Sequence, residues 1–360
     1  MGRVTLQTIA DRVGVSRMTV SNAFSRPDQL SMELRVRILS AADELGYAGP
    51  DPSARALARG TTGAVGVLLT DSLRDAFTDE VATTFLGAIA EELAPTGLAL
   101  TLLSASDQHD MIPARDVPMD GALVYSCNTK STAVDWLIRR RLPIVYVDQV
   151  PAPGVPSINI DDRSGARAAA QHLVDLGHRK IGIISANIDG GSGIVADLDA
   201  ASNHVTRQRM LGWLDALRGA GIEPTVVQED PSNASADLDA AQLLLDLPDR
   251  PTGILCFSDV IAYGVVQAAL ARGLAVPGDL SVVGFDDSPL AKRMRPALTT
   301  VRQDVAAKGH AAAAALTAAI RRSRNGSTKR VRNVLLPTEL IVRDSTARAG
   351  DPSDALRLGA

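Results

Sequence analysis

The chain has 360 residues, of which 46% are apolar and 22% are charged, a balance typical of folded globular domains and not of disordered chains. The formal net charge is −4, but it is unevenly distributed: residues 1–60 contain eight arginines and six acidic residues, a net +2, and the remainder contains 29 basic and 35 acidic residues, a net −6. The amino-terminal segment can therefore approach nucleic-acid phosphates although the whole chain is acidic.

The sequence does not indicate a membrane protein, a secreted protein, a metalloprotein or an enzyme. No uninterrupted apolar stretch reaches the ~18 residues that a membrane span needs, and no basic segment precedes an apolar run at the amino terminus, so we expect neither membrane association nor secretion. Cys127 and Cys256 have no neighbouring cysteine, which predicts reduced core thiols in a cytoplasmic protein. The scattered histidines match neither a zinc site nor a catalytic triad, and residues 189–193 are glycine-rich without a Walker lysine. We therefore expect no metal, no cofactor and no enzymatic activity.

The first predicted element is a short amphipathic helix between Thr5 and Gly14. Thr5 is of a type that caps helix amino termini, and Gly14 permits the sharp turn that ends the helix. Apolar residues recur at helical spacing between them, at Leu6, Ile9, Ala10 and Val13.

A second helix is predicted to begin at Arg17, with Ser16 as its cap and with Val15 and Val20 packed together across the helix start. If Val20 and Phe24 face inward, the opposite face is available to enter the DNA major groove. That face consists of Arg17, Met18, Ser21, Asn22 and Ser25.

These exposed side chains have the chemistry of DNA recognition. Arg17 suits guanine O6 and N7, Asn22 suits adenine N6 and N7, and Met18 suits a thymine methyl group. The hydroxyl groups that can reach phosphates are those of Ser16, Thr19 and Ser21.

A third helix follows a turn at residues 27–28, with Ser31 as cap, Gly46 as stop, and Leu34, Ile38, Ala41 and Leu45 facing inward. The strings that carry a family resemblance are Val4-Thr5-Leu6, Ile9-Ala10, Gly14-Val15-Ser16, Thr19-Val20-Ser21 and Leu45-Gly46-Tyr47. Together they resemble the amino-terminal domain of the LacI/GalR family of bacterial transcription regulators. The resemblance implies a helix-turn-helix DNA-binding domain over residues 1–49, with Thr5 among its DNA-binding residues.

Residues 50–61 are predicted to form a linker with a short helix. Asp51 can cap it, Pro52 suits its first turn and Gly60 can end it. A helix of about two turns is marginal in water, so we expect it to form only when something supports it.

The resemblance implies that this segment is a hinge helix that pairs with the same helix of a dimer mate at the operator centre. Leu57 would then insert into the minor groove, with Ala54 on the same face and with Arg55 and Arg59 near phosphates. The alternative interpretation is a solvated tether.

Residues 62–343 alternate short apolar runs with helical patterns, which predicts a two-lobed α/β domain with parallel sheets covered by helices on both faces. Strands are predicted at 64–69, 98–103, 121–125, 143–147, 157–160, 181–184, 225–228, 253–257 and 281–285, and helices include 77–93 and 165–176. Residues 344–360 are predicted to be disordered.

Further strings resemble the effector domain of the same family, which is similar to the type I periplasmic sugar-binding fold. They include Val147-Asp148, Ile160-Asp161-Asp162, Arg209-Met210-Leu211-Gly212 and Val282 through Asp287. The resemblance implies that Asp148, Asp161, Arg209 and Asp286 face a cleft at the carboxyl ends of strands. Carboxylates that accept from hydroxyl groups, beside an arginine that donates, suit polyol recognition.

Other residues near the strand ends are interpreted either as helix caps or as parts of the effector site. An aspartate after a strand often only caps the next helix, and Asp162 and Asp287 are interpreted in that way. Ser258 is placed at a polar contact with the effector. Phe77 and Tyr125 are candidate rim or stacking groups.

The sequence therefore predicts a cytoplasmic, homodimeric, LacI-like repressor that binds a palindromic double-stranded operator and responds to a small molecule, expected to be a sugar or sugar derivative. The alternative kept open is a ligand-binding protein of the transport type without DNA function, because the two lobes alone would suit it. An enzyme is disfavoured because no nucleophile with an adjacent base can be nominated.

Overall fold

The structure, a computed structural model, describes residues 4–47, 49, 51, 55–57, 60–69, 73–105, 111–126, 131–186, 188, 192–198, 201, 203–229, 236–326 and 332–350. The chain divides into two units, Met1–Gly63 and Ala64–Ala360. Some sequence predictions fall outside the described residues and stay predictions; they concern Pro52, Ala54, Arg59, Cys127 and most of the glycine-rich stretch 189–193.

Three short helices around one core form the first unit. They are α1 (Leu6–Val13), α2 (Arg17–Ser25) and α3 (Met32–Glu44). The predicted caps are confirmed, because Thr5, Ser16 and Ser31 each accept a hydrogen bond from a backbone N–H in the first turn of the following helix. Gly14 has φ 75, the left-handed backbone that favours glycine, and it ends α1. The buried core consists of Ile9, Ala10, Val20, Ala23, Ile38, Ala41 and Ala42.

Part of the predicted hinge segment is described. Residues 55–57 are helical, and the Arg55 N–H donates to the Asp51 carbonyl over 2.9 Å. Gly60 has φ 64, and its N–H donates to the Leu57 carbonyl over 3.3 Å. These two hydrogen bonds and the left-handed Gly60 agree with the cap at Asp51 and the stop at Gly60 that the sequence indicated.

The second unit contains two sheets, each with helices on both faces. The strands of the first sheet are β1 (Ala64–Leu69), β2 (Ala99–Ser104), β3 (Ala122–Tyr125), β4 (Ile144–Val147), β5 (Ser157–Ile160) and β12 (Val334–Leu336). They lie in the order β12-β5-β4-β3-β1-β2, and all described pairings are parallel. The helices of this first lobe are α4 (Asp75–Thr78), α5 (Glu80–Leu93), α6 (Pro113–Asp116), α7 (Thr132–Arg139) and α13 (Val305–Arg324). The first lobe has α5 and α13 on one face and α6 and α7 on the other.

The strands of the second sheet are β6 (Ile181–Ala186), β7 (Gly193–Ile194), β8 (Thr225–Glu229), β9 (Gly253–Cys256), β10 (Ser281–Asp286), β11 (Thr299–Gln303) and β13 (Thr338–Ile341). Their order is β13-β11-β10-β9-β6-β8-β7, with antiparallel pairing only of the two edge strands among those described. The helices of this second lobe are α8 (Asp162–Asp175), α9 (His204–Gly219), α10 (Ala236–Leu245), α11 (Asp259–Ala271) and α12 (Pro289–Arg293). The second lobe has α8 and α9 on one face and α10 and α11 on the other.

Between the described elements the chain passes from one lobe to the other three times. The passages follow β5, β11 and β12 and lead into α8, α13 and β13 respectively. The segments that join the lobes are therefore next to the carboxyl ends of strands, where open α/β sheets bind their ligands.

Two helix boundaries differ from the prediction. The predicted helix 77–93 is broken at Asp79, whose carboxylate accepts from the Val81 N–H over 2.9 Å and caps α5. The predicted helix 165–176 begins earlier, at Asp162. In both places a side-chain cap sets where the helix begins, and apolar spacing alone does not indicate this position.

The expectation of a disordered tail is wrong for residues 344–350. Ser345 is fully buried, and its carbonyl accepts from the Val282 N–H over 2.9 Å. The Ala347 N–H donates to Ser281 Oγ over 3.0 Å, and the Ala349 N–H donates to the Leu176 carbonyl over 2.9 Å. The segment is polar in sequence but satisfies its backbone groups against the second lobe, and residues 351–360 lie outside the described part.

Candidate functional site

The predicted DNA-reading helix presents part of its polar face to solvent. Arg17 is exposed and Met18 is 69% exposed, while Val20 on the other face is fully buried. Thr19, Ser21 and Asn22 are half-buried. The first turn of α2 therefore offers the side chains that are most accessible to a groove.

Several of the predicted DNA contacts already hold internal hydrogen bonds. Ser16 Oγ accepts from the Thr19 N–H over 3.0 Å, and Thr5 Oγ1 accepts from the Thr8 N–H over 3.4 Å, so both hydroxyls serve as caps. The Asn22 amide donates to Gln29 Oε1 over 3.3 Å. A bidentate contact of Asn22 with adenine would compete with this bond to Gln29.

The hinge residues that are described are open to solvent. Leu57 is 87% exposed, and Arg55 is also exposed. Covering so exposed an apolar side chain with a second surface is favourable, because apolar area is removed from water.

In the second unit, Arg209 is the centre of a buried cluster in the second lobe. It lies on α9, is 4% exposed, and its Nε donates to Asp162 Oδ1 over 2.8 Å. Its guanidinium lies 3.5 Å from the Phe285 ring centroid and 4.5 Å from that of Phe257, whose carbonyl accepts from Nη1. The hydrogen bonds and rings fix the guanidinium plane, as recognition of a polar ligand requires.

The position of Arg209 depends on the close approach of α9 to α8. Gly212, one turn after Arg209, lies against the backbone of Arg163, and a Cβ at this position would clash with the Arg163 carbonyl oxygen. Asp162 is the first residue of α8, so the same close packing brings Asp162 to Arg209. Burial raises the pKa of Asp162 to about 6, and the positive charge of Arg209 opposes this rise.

Asp286 ends β10 and faces the same cluster. Its Oδ1 accepts from Gln303 Nε2 over 2.6 Å, and Arg209 Nη2 lies 3.7 Å away. Burial raises the pKa of Asp286 to about 8, although Arg209 favours the charged form. The raised pKa favours the protonated form of this carboxyl group, which can donate a hydrogen bond.

Lys308 and Asp148 form a second buried pair, in the first lobe. Lys308 is 2% exposed, and its Nζ donates to Asp148 Oδ2 over 2.6 Å and to Gln303 Oε1 over 3.1 Å. Asp148 follows β4 with φ 55 and is 5% exposed. Its Oδ1 makes no hydrogen bond within the part of the chain that the structure describes. This oxygen is available to a ligand hydroxyl group.

Sequence reasoning missed Lys308. The signal was present, because Lys308 is spaced three, four and eight residues from Val305, Ala312 and Leu316, all of which are buried on the same face of α13. A lysine in an apolar stripe needs a buried partner. Gln303, which contacts both Lys308 and Asp286, was also missed as a site residue and connects the clusters of the two lobes.

Tyr125, whose role as a rim or stacking group for the effector stays a prediction, lies beside Lys308. Its ring stacks on Phe85 with centroids 4.4 Å apart, and Lys308 Nζ lies 5.7 Å from the Tyr125 ring centroid. Burial raises the pKa of Tyr125 well above its usual value, and the Asp148 charge adds to this effect. Next to it, Ser126 Oγ accepts from Asn203 Nδ2 across the two lobes over 3.5 Å.

The structure changes the interpretation of several aspartates. Asp161, and not Asp162, caps α8, because Asp161 Oδ1 accepts from the Ser164 N–H over 3.1 Å. Asp287 is not a helix cap; it forms ion pairs with Arg302 over 2.7 Å and with Arg343. Asp162 instead meets the buried Arg209, and these partners lie far along the chain, where periodicity does not reveal them.

Two further predicted effector residues lie outside the buried cluster. Ser258 caps α11, where its Oγ accepts from the Ile261 N–H over 3.2 Å. Phe77 on α4 is 68% exposed. Their roles, like that of Asp161, stay predictions.

Two general findings concern the described residues alone. No helix among them is long and apolar enough to span a bilayer. No group of three His, Cys, Asp or Glu side chains among them is arranged to hold a metal ion.

Comparison with known proteins gives similarities to both parts of the chain. Residues 5–49 match the family described as "Bacterial regulatory proteins, lacI family", and residues 170–346 match "Periplasmic binding protein-like domain". The HTH-type transcriptional regulator IpsA of Corynebacterium glutamicum is 39% identical over 318 residues, which cover 85% of this chain and 88% of the relative.

Solved structures resemble the chain over almost its whole length. The lac repressor dimer bound to operator and the anti-inducer ONPF has a TM-score of 0.75 and 25% identity, and covers 96% of this chain and 100% of that one. The complex of the transcriptional regulator CelR with cellobiose has a TM-score of 0.65 and 26% identity, and covers 95% and 100%. The similarity thus includes the helical unit and both lobes.

Proposed function

The chain belongs to the LacI family of bacterial transcription regulators, and from that premise we propose that it is a cytoplasmic, dimeric repressor of a palindromic operator, controlled by a small molecule in the cleft. Family membership makes it a DNA-binding transcription regulator and not an enzyme. Operator binding, the dimer and the class of effector are the proposal.

The observation that carries the DNA-binding part is the first turn of α2. Ser16 caps it, Val20 anchors it in the three-helix core, and Arg17 and Met18 point away from that core. Two such helices in a dimer, about one helical turn of DNA apart, would read the two halves of a palindrome.

An exposed apolar face on α11 supports the dimer. Val260 is 55% exposed, Tyr263 is 41% exposed and Leu270 is 48% exposed. Spacings of three and seven residues place all three on one side of the helix. The similar lac repressor is a dimer, and we propose that a second copy of this chain covers this face.

The charges of the cluster support a neutral, hydroxyl-rich effector. Lys308 is paired with Asp148, Arg209 is paired with Asp162, and the raised pKa of Asp286 favours its neutral form. A ligand carboxylate or phosphate would find no unpaired cation within these groups, whereas hydroxyl groups can donate to Asp148 Oδ1 and accept from Asp286. A sugar or sugar derivative has this chemistry, and the similar CelR binds cellobiose.

The alternative of a transport-type binding protein is weaker. The two lobes alone would suit it, but a DNA-binding helical unit with all three predicted caps precedes them. A transport protein has no use for such a unit.

The test is selection of bound sequences from random duplex DNA by the purified chain. We expect a two-fold palindrome, and its recovery would supply the operator for an effector screen. Binding that recovers no motif and disappears at modest salt would contradict the proposal, because it would reflect only phosphate attraction. With the operator in hand, adding neutral sugars identifies the effector, and the direction of the affinity change distinguishes an inducer from a corepressor.

A further inference from the structure

The strands of the first sheet are parallel, so they all begin at one edge, which we call the amino edge. The chain arrives there from the DNA-binding unit, since β1 starts at Ala64 directly after the linker. The Asp120 N–H donates to the Ala64 carbonyl over 2.8 Å, and the Gly66 N–H donates to the Gly121 carbonyl over 3.0 Å. The start of β3 therefore lies beside the point where the linker ends.

The carboxyl end of α13 lies at the same edge. Arg324 Nη2 contacts Asp120 Oδ2 over 2.9 Å. A Cβ built on Gly121 would lie 3.1 Å from Ile320 Cγ1 and 2.8 Å from the Pro143 carbonyl oxygen. The last turns of α13, the start of β3 and the segment that leads into β4 are thus in contact.

Arginines are concentrated at this edge. The segments that reach it contain Arg139, Arg141, Arg321, Arg322, Arg324 and Arg332. All except Arg322 are exposed, and Arg322 is half-buried. The second unit as a whole carries a net charge of −6, so this edge is positive on an otherwise acidic unit.

Most of this positive charge is uncompensated. Asp120 is paired with Arg324, and its side chain is only 7% exposed. Within the described part of the chain, Arg141, Arg321 and Arg332 form no ion pair. Like charges at one edge repel one another, and a polyanion placed against them would remove that repulsion.

The linker to the DNA-binding unit indicates that the polyanion near this edge is DNA. Residues 48–63 link the DNA-reading helices to this edge and can span at most about 55 Å when fully extended. DNA held by the helices is therefore kept at a high effective concentration beside the amino edge.

We propose that the amino edge of the first sheet is a second DNA-binding surface, which attracts the phosphate backbone of the operator without reading its sequence. This inference rests on the proposed operator binding. Arg141, Arg321 and Arg332 would contribute salt-dependent affinity for any duplex, while α2 provides the sequence preference.

The test compares the full-length parent with the triple variant Arg141→Ala/Arg321→Ala/Arg332→Ala. Fluorescence anisotropy titrations use the selected palindromic duplex and a scrambled duplex of equal length, both extended past the two half-sites, between about 50 and 200 mM salt. We expect the triple variant to bind both duplexes more weakly, by on the order of tenfold. The slope of log affinity against log salt should fall by about 0.9 for each phosphate contact removed.

Two controls separate charge from structure. The variant Arg167→Ala/Arg207→Ala/Arg348→Ala removes three exposed arginines of the second lobe and should keep the parental slope. The triple lysine variant at 141, 321 and 332 should restore affinity, because lysine also neutralises phosphates.

An unchanged slope in the triple alanine variant would overturn the inference, as would a loss of affinity confined to the palindromic duplex. If the parent did not prefer the palindromic duplex to the scrambled one, the operator proposal would fail, yet the slope on the scrambled duplex would still decide this inference.

Discussion

At the scale of single residues, burial forces the charged side chains of the two clusters into pairs. Arg209 with Asp162 and Lys308 with Asp148 are almost inaccessible to water. A buried pair contributes little net stability, but removal of one partner leaves the other charge uncompensated, at a cost of several kcal/mol. These pairs therefore fix the arrangement of the two clusters more than they stabilise the fold.

Replacement of Lys308 tests this interpretation. We expect Lys308→Met to lower the free energy of unfolding by about 3 to 5 kcal/mol, because Asp148 loses its partner. The double variant Lys308→Met/Asp148→Asn should recover most of this stability, since asparagine tolerates the φ of 55 at this position. Urea unfolding is the measurement, and Lys292→Met, at an exposed lysine, is the control. A single variant as stable as this control would show that the pair is not buried in solution.

The protonation of Asp286 predicts a pH dependence of stability. The pKa of Asp286 is about 8 in the folded chain and about 3.9 when unfolded. Because the pKa of Asp286 is higher in the folded than in the unfolded chain, its contribution to stability is complete below the unfolded-state pKa. The contribution is lost as pH rises through the folded-state pKa. Between about pH 6.5 and 8 the free energy of unfolding should fall by up to about 1.4 kcal/mol per pH unit from this group.

The variant Asp286→Asn isolates that contribution. The half-buried His172 and the buried His178 have lowered pKa values and act in the opposite sense at more acidic pH, but they are present in both proteins. Urea unfolding at the two ends of this window should give a smaller pH dependence for the variant. Equal dependence in parent and variant would mean that Asp286 is already ionised at neutral pH.

Arg17 allows a prediction about how the protein recognises the base sequence of its operator. Its side chain is exposed at the start of α2, so Arg17→Ala should cost ~1 to 3 kcal/mol in operator binding and relax the preference at one position of each half-site. Selection from random duplex DNA measures the preference, with Arg12→Ala on α1 as control. A uniform loss on all sequences would instead assign Arg17 to a phosphate.

At the scale of elements, the helices and strands that are signalled by neighbouring residues were predicted better than those defined by distant residues. The bounds of α1 and the start of α2 were predicted because each cap lies next to its helix. The strands β7, β11, β12 and β13 were missed because each is defined by its pairing with distant residues, and all except β11 lie at the edge of a sheet. The break at Asp79 was missed because apolar spacing continues across it.

The hinge segment gives a prediction at this scale. Leu57 is 87% exposed, so Leu57→Ala should leave the stability of both units unchanged. It should weaken binding to the selected operator, because the apolar side chain would no longer insert into the minor groove. Anisotropy titration measures this, and equal operator affinity of variant and parent would favour the solvated tether.

At the scale of the whole molecule, three passages of the chain join the two lobes, so the proposed effector would act where they meet. A ligand that contacts Asp148 in one lobe and Asp286 in the other would fix the angle between them. The linker enters at β1, in the first lobe. A coupling free energy of ~1 to 3 kcal/mol would change operator affinity by ~5 to 150-fold.

The exposed face of α11 gives the prediction for assembly. The variant Val260→Asp/Tyr263→Asp should be monomeric in sedimentation velocity, because a dimer would bury the two new charges. Operator affinity should fall by about 100-fold or more, since two linked reading helices bind better than one. Ile138→Asp, at a 50% exposed position on α7, should remain dimeric. A double variant that stays dimeric would place the interface elsewhere.

Local signals in the sequence determined the helical DNA-binding unit, most of the strands, and the positions of Asp148 and Asp286 at the ends of their strands. Caps, glycine turns and apolar spacing act over a few residues, so they can be read from the chain itself. Only the tertiary structure decided which charges are buried together. Lys308 meets Asp148 across 160 positions and Arg209 meets Asp162 across 47, and the pairing depends on burial, which no local pattern contains.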